Sequence, residues 1–272
     1  METNLNQTAT MNSIENSNNL FLKNMIGTIT RTFFMNCPAG SEEQWKFMTA
    51  VYEKNPGYFS NNEKRRSGEE CWPYQADTMI GVYRMVNIHT CLQDVIDNKV
   101  EGDFVETGVW KGGACVFANA VIHEAKEENN RRVHVFDSFE GLPKPYMSQD
   151  AGDIHHTIEC LAVSLEQVKE VFSSYNLLTP NVVFRKGWFK DTMQETSDIK
   201  NIAVLRLDGD MYSSTMEVLT ALYDKVSVGG FIIVDDWTIL QAQRAVKDFW
   251  ANRKLDVTIT MIDRSSCYWK KQ

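Results

Sequence analysis

The sequence predicts an α/β protein built on a mostly parallel, doubly wound sheet. Short apolar segments alternate with longer amphipathic ones between residues 104 and 250, as in repeated strand–helix–strand units. A glycine-rich turn follows the first apolar segment, and paired aspartates follow two later ones. Both features are typical of the carboxyl edge of such a sheet, where open α/β folds bind ligands.

The elements can be placed one by one. Strands are predicted at 104–106, 133–137, 182–184, 203–208 and 231–234, and helices at 114–125, 165–175, 215–223 and 242–250. Residues 257–262 and 267–269 are left over and predict a C-terminal β-hairpin at the sheet edge. Ahead of the core, apolar residues at helical spacing predict a helix over 75–94 that covers the sheet edge.

The chain is predicted to form one main domain with an N-terminal addition. Residues 1–18 lack Lys, Arg and an apolar run, so we expect a disordered polar tail and no secretory signal. Residues 19–74 predict a helical appendage that covers an acceptor, with helices near 21–29 and 41–52. Residues 75–272 form the main domain.

Composition excludes several classes of partner. A net charge of −8 argues against nucleic-acid binding, which requires clustered Lys and Arg. We find no apolar run of the roughly 18 residues that a membrane-spanning helix needs. Six scattered cysteines without a C-x-x-C pair fit reduced thiols. We expect a cytoplasmic protein that binds a small molecule.

The turn after the first strand predicts a cofactor site. Glu106, Gly108 and Gly112 form the pattern E-x-G-x-x-x-G, which differs from the dinucleotide fingerprint G-x-G-x-x-G. Asp137 ends the next strand, where an acidic side chain can accept both hydroxyls of a ribose. The alternatives are a tight turn that needs glycine and a strand-end aspartate that forms a turn.

The aspartates after the later strands predict a cation site. Asp208 and Asp210 follow one strand, and Asp235 and Asp236 follow the next. Neighbouring parallel strands would bring these carboxylates together, and their repulsion favours a bound cation. Oxygen ligands suit Mg²⁺, Mn²⁺ or Ca²⁺. The alternative is that Asp210 and Asp236 cap the following helices.

Residues 138–163 form a long predicted loop that contains His155 and His156. Long loops in compact domains are usually functional lids or disordered segments.

Several motifs in order resemble the macrocin O-methyltransferase (TylF-like) family between about Met79 and Trp269. The segments are GDFVETGVWKGGACVFANAV, VFDSFEGLPKP, DAGDIHHT, LAVSLEQVKEVF, GWFKDT, AVLRLDGDMYSSTMEVLTALYDKVSVGGFIIVDDW and the closing Tyr268-Trp269. The resemblance implies a class I methyltransferase with a Rossmann-like sheet. It also implies methylation of hydroxyls on antibiotic sugars with S-adenosylmethionine (SAM) and Mg²⁺.

The resemblance also implies roles for individual residues. Glu106 and Gly108 would hold the methionine part of SAM, Asp137 and Ser138 the ribose, and Trp188 would lie near the adenine. The remaining residues assigned to the cofactor are Met79, Thr107, Gly112 and Gly187. The implied metal ligands are Asp208, Asp235 and Asp236, and the implied catalytic residues are Asp208 and His156.

The predicted function is therefore transfer of a methyl group to a hydroxyl of a glycosylated or polyketide natural product by a homodimer or higher homo-oligomer. Two alternatives stay open at this point. A nicotinamide-dependent oxidoreductase shares the fold but gives no reason for the aspartate cluster. A non-catalytic SAM-binding protein is the other alternative.

Overall fold

The computed structural model describes residues 19–31 and 76–272. The predicted tail at 1–18, the predicted helix at 41–52 and the boundary between residues 74 and 75 lie outside these ranges. In the described ranges, no helix has both the length and the apolar character needed to cross a membrane.

A mixed sheet lies at the centre of the described chain. Its strands are β1 Asp103–Thr107, β2 Val133–Asp137, β3 Val182–Lys186, β4 Ile202–Leu207, β5 Val226–Val234, β6 Thr260–Met261 and β7 Cys267–Lys270. The order across the sheet is β3-β2-β1-β4-β5-β7-β6. Strands β1 to β5 pair in parallel, whereas β7 is antiparallel to both neighbours. The predicted parallel sheet with a C-terminal hairpin is confirmed.

Helices cover both faces of this sheet. They are α1 Leu20–Ile29, α2 Val82–Asp97, α3 Gly113–Glu124, α4 Leu165–Ser174, α5 Phe189–Thr192, α6 Tyr212–Leu222 and α7 Leu240–Arg253. Adjacent strand residues alternate between the faces. Phe104 joins the buried cluster formed with α1 to α4, and Val105 joins the cluster formed with α6 and α7. Both faces are therefore apolar, as a parallel sheet requires.

Two elements differ from their predictions. The helix expected over 75–94 begins at Val82 and packs on β4 and β5 in the interior of the sheet, so its placement at the sheet edge was wrong. Its apolar spacing predicts a buried face but cannot identify the strand beneath. Strand β5 begins at Val226, five residues before the predicted start at 231, because its glycines at 229 and 230 resemble a turn.

The long loop after β2 is tied to α6. It contains three short 3₁₀ turns at Ser148–Asp150, His155–Thr157 and Glu159–Leu161. The buried Asp150 carboxylate accepts the backbone N–H groups of Tyr212 at 2.6 Å and Ser213 at 3.0 Å. Asp150 thus satisfies the first N–H groups of a helix that lies 62 residues further along the chain.

Replacing Asp150 with Ala should lower the free energy of unfolding by about 1–2 kcal/mol, because two helix N–H groups lose their acceptor. Urea denaturation measures this change. The exposed neighbour Ser148 is the matched control, and Ser148→Ala should change the stability by less than about 0.5 kcal/mol. Equal stabilities for the two variants would show that the Asp150 contact contributes nothing to the fold.

Candidate active site

The residues that follow the parallel strands lie in one row. The backbone N–H of Gly108 donates to Phe136, that of Asp208 to Thr107, and that of Asp235 to Leu207, at 2.8 to 2.9 Å. These bonds extend the sheet pairing by one residue beyond each strand. The glycine turn and the two aspartate pairs therefore meet at one edge, as predicted.

Gly108 allows the closest approach in this row. Its φ is +89°, and a Cβ atom placed on it would lie 1.8 Å from the carbonyl oxygen of Asp208. No side chain fits there, so glycine lets the turn after β1 contact the loop after β4.

A cavity of about 540 Å³ opens at this edge. Eight of the predicted site residues line it: Met79, Glu106, Gly108, Asp137, Ser138, Gly187, Trp188 and Asp208. The lining also includes Asp210 from the predicted aspartate cluster, and residues that the prediction did not assign to the site, among them Tyr146, Phe189, Arg206 and Glu217.

Thr107 and Gly112 are absent from the described lining. Thr107 is buried, and its hydroxyl donates to the carbonyl of Arg206 at 3.3 Å. Gly112 is the left-handed N-cap of α3, where a Cβ atom would lie 2.8 Å from Val168. Both residues hold the framework of the turn, and their assignment to the cofactor stays a prediction.

Asp137 organises the cavity wall. Its carboxylate accepts the backbone N–H of Val109 at 2.8 Å and that of Phe139 at 2.7 Å. Burial raises the pKa of Asp137, and these N–H groups oppose the rise. The carboxylate therefore joins the loops that follow β1 and β2 at the cavity wall.

Asp208, Asp235 and Asp236 form the carboxylate cluster that the strand ends predict. One oxygen from each lies within 4.8 Å of the others. Burial, followed by repulsion from Asp235, raises the pKa of Asp208 well above its usual value. Burial and the neighbouring aspartates likewise raise the pKa of Asp236. A cation at this position would remove that repulsion.

The capping alternative for Asp210 and Asp236 is not what the structure shows. The N-cap residues of α6 and α7 are Met211 and Ile239, and neither makes a side-chain capping bond. The cap of α6 comes from Asp150 instead. Asp236 accepts the backbone N–H of Asp210 at 3.0 Å, which fixes one aspartate loop against the other.

Two arginines that the sequence analysis missed hold Asp235 between them. Arg206, whose side chain is 1% exposed, pairs with Glu106, with Asp208 at 2.7 Å and with Asp235. Arg84 pairs with the other oxygen of Asp235 and with Asp263 at 2.6 Å. Burial alone would lower the pKa of Arg206, but attraction to these carboxylates raises it well above its usual value.

The structure separates the two loop histidines. His156 is absent from the described cavity lining, and its Nδ1 is buried without a hydrogen-bond partner. His155 Nδ1 lies 2.8 Å from the buried carboxylate of Asp153. Burial raises the pKa of Asp210, and nearby His155 opposes the rise. His155 therefore lies near the aspartate loop, and the assigned role of His156 stays a prediction.

Comparison with known proteins identifies the family. The model of the family described as Macrocin-O-methyltransferase (TylF) matches residues 21–271. A demethyldecarbamoylnovobiocin O-methyltransferase from Streptomyces niveus is 45% identical over 214 residues, 77% of this chain and 80% of that protein.

Two further matches are also O-methyltransferases. An 8-demethyl-8-(2,3-dimethoxy-alpha-L-rhamnosyl)-tetracenomycin-C 4'-O-methyltransferase from Streptomyces olivaceus is 37% identical over 260 residues, 94% of each chain. The solved structure of the O-methyltransferase NovP has a TM-score of 0.83 and 39% identity, and the match covers 94% of this chain and all of that one. These matches exclude the oxidoreductase alternative and confirm the predicted methyltransferase fold. The chain belongs to the macrocin O-methyltransferase family and is a SAM-dependent O-methyltransferase.

Proposed function

We propose that the protein methylates a sugar or polyketide hydroxyl of a natural product and uses Mg²⁺ held by Asp208, Asp235 and Asp236. The observation that carries the proposal is the three-aspartate cluster beside a cavity of about 540 Å³. The relatives' names support the acceptor class, since one acts on a rhamnosyl group of a tetracenomycin and another on a novobiocin precursor.

The residues of the site fit both SAM and Mg²⁺. A Cβ-free turn at Gly108, the carboxylate of Asp137 and the ring of Trp188 suit a nucleoside cofactor, and SAM would supply an electrophilic methyl group. Carboxylate oxygens suit Mg²⁺, which would lower the pKa of an acceptor hydroxyl and orient it.

The remaining task of the protein is to take the proton of the acceptor hydroxyl. Asp210 lines the cavity and its backbone is bonded to Asp236, which holds the carboxylate beside the cluster. We assign proton acceptance to a carboxylate oxygen of Asp210, because Asp210 lines the cavity and His156 is absent from its described lining. A positioned base of this kind contributes about 10²–10⁴-fold to the rate.

Methyl transfer from isotope-labelled SAM to a panel of acceptors tests the function. We expect label in hydroxyls of deoxysugar glycosides of macrolides, aminocoumarins or aromatic polyketides. Phenolic catechols are the matched controls, because they also bind a metal through two oxygens but carry no sugar. Labelling of the catechols alone would contradict the proposed acceptor class.

The homo-oligomer and the cytoplasmic location remain proposals. Light scattering of the purified chain tests the first, and a mass equal to that of one chain would contradict it.

A further inference from the structure

The cavity extends from the aspartate cluster to a second end between β3 and α6. Trp188, Phe189 and Lys190 line this end after β3, and Ser214 and Glu217 line it from α6. A Cβ atom on Gly209 would lie 3.3 Å from the Phe189 ring and 3.0 Å from Ser214, so these two walls approach each other. Glu217 lies one helical turn after Ser214 on the same face.

A strap of loop closes this end of the cavity. Residues 141–146 have no regular structure and carry Pro143 and Pro145, which restrict the backbone. Beside the strap, Ser138 donates to the carbonyl of Gly141 at 2.6 Å. On the strap itself, the hydroxyl of Tyr146 donates to Oε1 of Glu217. Glu217 is therefore held at the closed end, with Oε2 and a second lone pair of Oε1 available to a ligand.

The polar groups at this end include several N–H donors and one carboxyl group. Trp188, Lys144 and Lys190 bring N–H donors, and Glu217 brings a carboxyl group. Burial raises the pKa of Glu217 to about 7, so near neutral pH the group is protonated in a substantial fraction of molecules. A protonated carboxyl offers one acceptor and one donor side by side.

On the proposed function, the acceptor hydroxyl reacts at the aspartate cluster, so the reactive end of SAM must lie near that cluster. Glu106 and Gly108 lie beside the cluster. The nucleoside then extends past Asp137 toward β3, which brings its base to the end that contains Glu217. Adenine presents an N–H donor on its exocyclic amine and an acceptor at the adjacent ring nitrogen. We propose that Glu217 recognises the adenine of SAM by accepting from this amine and donating to the ring nitrogen.

Binding of S-adenosylhomocysteine and of an analogue without the amine to the full-length protein tests the proposal. S-adenosylhomocysteine carries the amine, whereas the analogue has an unsubstituted purine with only a hydrogen atom at that carbon. Isothermal titration should show that the wild-type protein prefers the adenosyl compound by about tenfold or more, because the analogue has no amine to donate to Glu217. Glu217→Met should reduce this preference to about threefold or less.

Three further variants separate recognition from structure. Glu217→Gln should keep the preference, since an amide also pairs one donor with one acceptor. Glu170→Met, on an exposed helical position of α4, should keep it as well. Tyr146→Phe removes the strap bond but not the carboxyl group, and it should also keep it.

The proposal is overturned if Glu217→Met retains the wild-type preference or if Glu217→Gln loses it. It is also overturned if Tyr146→Phe abolishes the preference as fully as Glu217→Met, because strap closure would then explain the discrimination. Thermal melts of each variant identify any loss of folding, and for an unfolded Glu217→Met the result for Glu217→Gln decides.

Discussion

Replacing Asp236 with Asn should lower kcat by about 10²-fold or more and leave the affinity for S-adenosylhomocysteine within about twofold. The change removes a charged ligand of the proposed cation but keeps an oxygen that can accept the backbone N–H of Asp210. The fold should therefore survive. Initial rates at saturating SAM and acceptor give kcat, and isothermal titration gives the affinity.

Asp236 is a better probe than Asp235. Both oxygens of Asp235 are paired with arginines, of which Arg206 is buried, so Asp235→Asn would lower stability and activity together. The exposed Asp256→Asn is a suitable control of the same chemistry. A normal kcat in Asp236→Asn would remove Asp236 from the cation site.

Arg206→Met should lower the free energy of unfolding by about 3–5 kcal/mol when measured by urea denaturation in EDTA. The substitution leaves Glu106, Asp208 and Asp235 close together without the guanidinium that pairs with all three. Because a divalent cation offsets the same repulsion, Mg²⁺ should stabilise this variant more than the wild-type protein.

Arg185→Met supplies the matched control. Arg185 is also in a strand, but it pairs with Asp198, whose side chain is 45% exposed, and its loss should cost about 1 kcal/mol or less. Equal losses for the two variants would show that Arg206 does not compensate a buried carboxylate cluster.

The convergence of the aspartates was predictable because the order of parallel strands places their carboxyl ends together. The rule needs only that the segments ending at Asp208 and Asp235 are neighbouring strands, and β4 and β5 are neighbours. The cavity position of Gly108 and Asp137 follows from the same rule. The long-range pairing of the arginines does not follow from this rule.

Arg206 shows what a local pattern leaves out. Within the apolar strand segment that ends at Leu207, an arginine resembles an outward-facing polar residue, and its burial depends on Glu106, which lies 100 residues away in the chain. Arg84 comes from a helix whose partner strands the spacing did not identify. The framework contacts of Thr107 and Gly112 are likewise not predicted by their motif.

The loop residues were the least predictable. His155 and His156 are adjacent in sequence, yet only His155 lies within hydrogen-bonding distance of Asp153, because a 3₁₀ turn directs the two side chains differently. The contact of Asp150 with the first N–H groups of α6 is likewise tertiary, and no local sequence pattern predicts it.

Titration of Mn²⁺ into the EDTA-treated and dialysed protein, with free Mn²⁺ measured by electron paramagnetic resonance, tests the central claim most directly. The account predicts about one bound Mn²⁺ per chain, displaced by Mg²⁺ and weakened at least tenfold by Asp236→Asn, since oxygen ligands hold either ion. Methyl transfer should stop in EDTA and return with Mg²⁺. Absence of bound Mn²⁺ together with full activity in EDTA would contradict the metal-dependent mechanism.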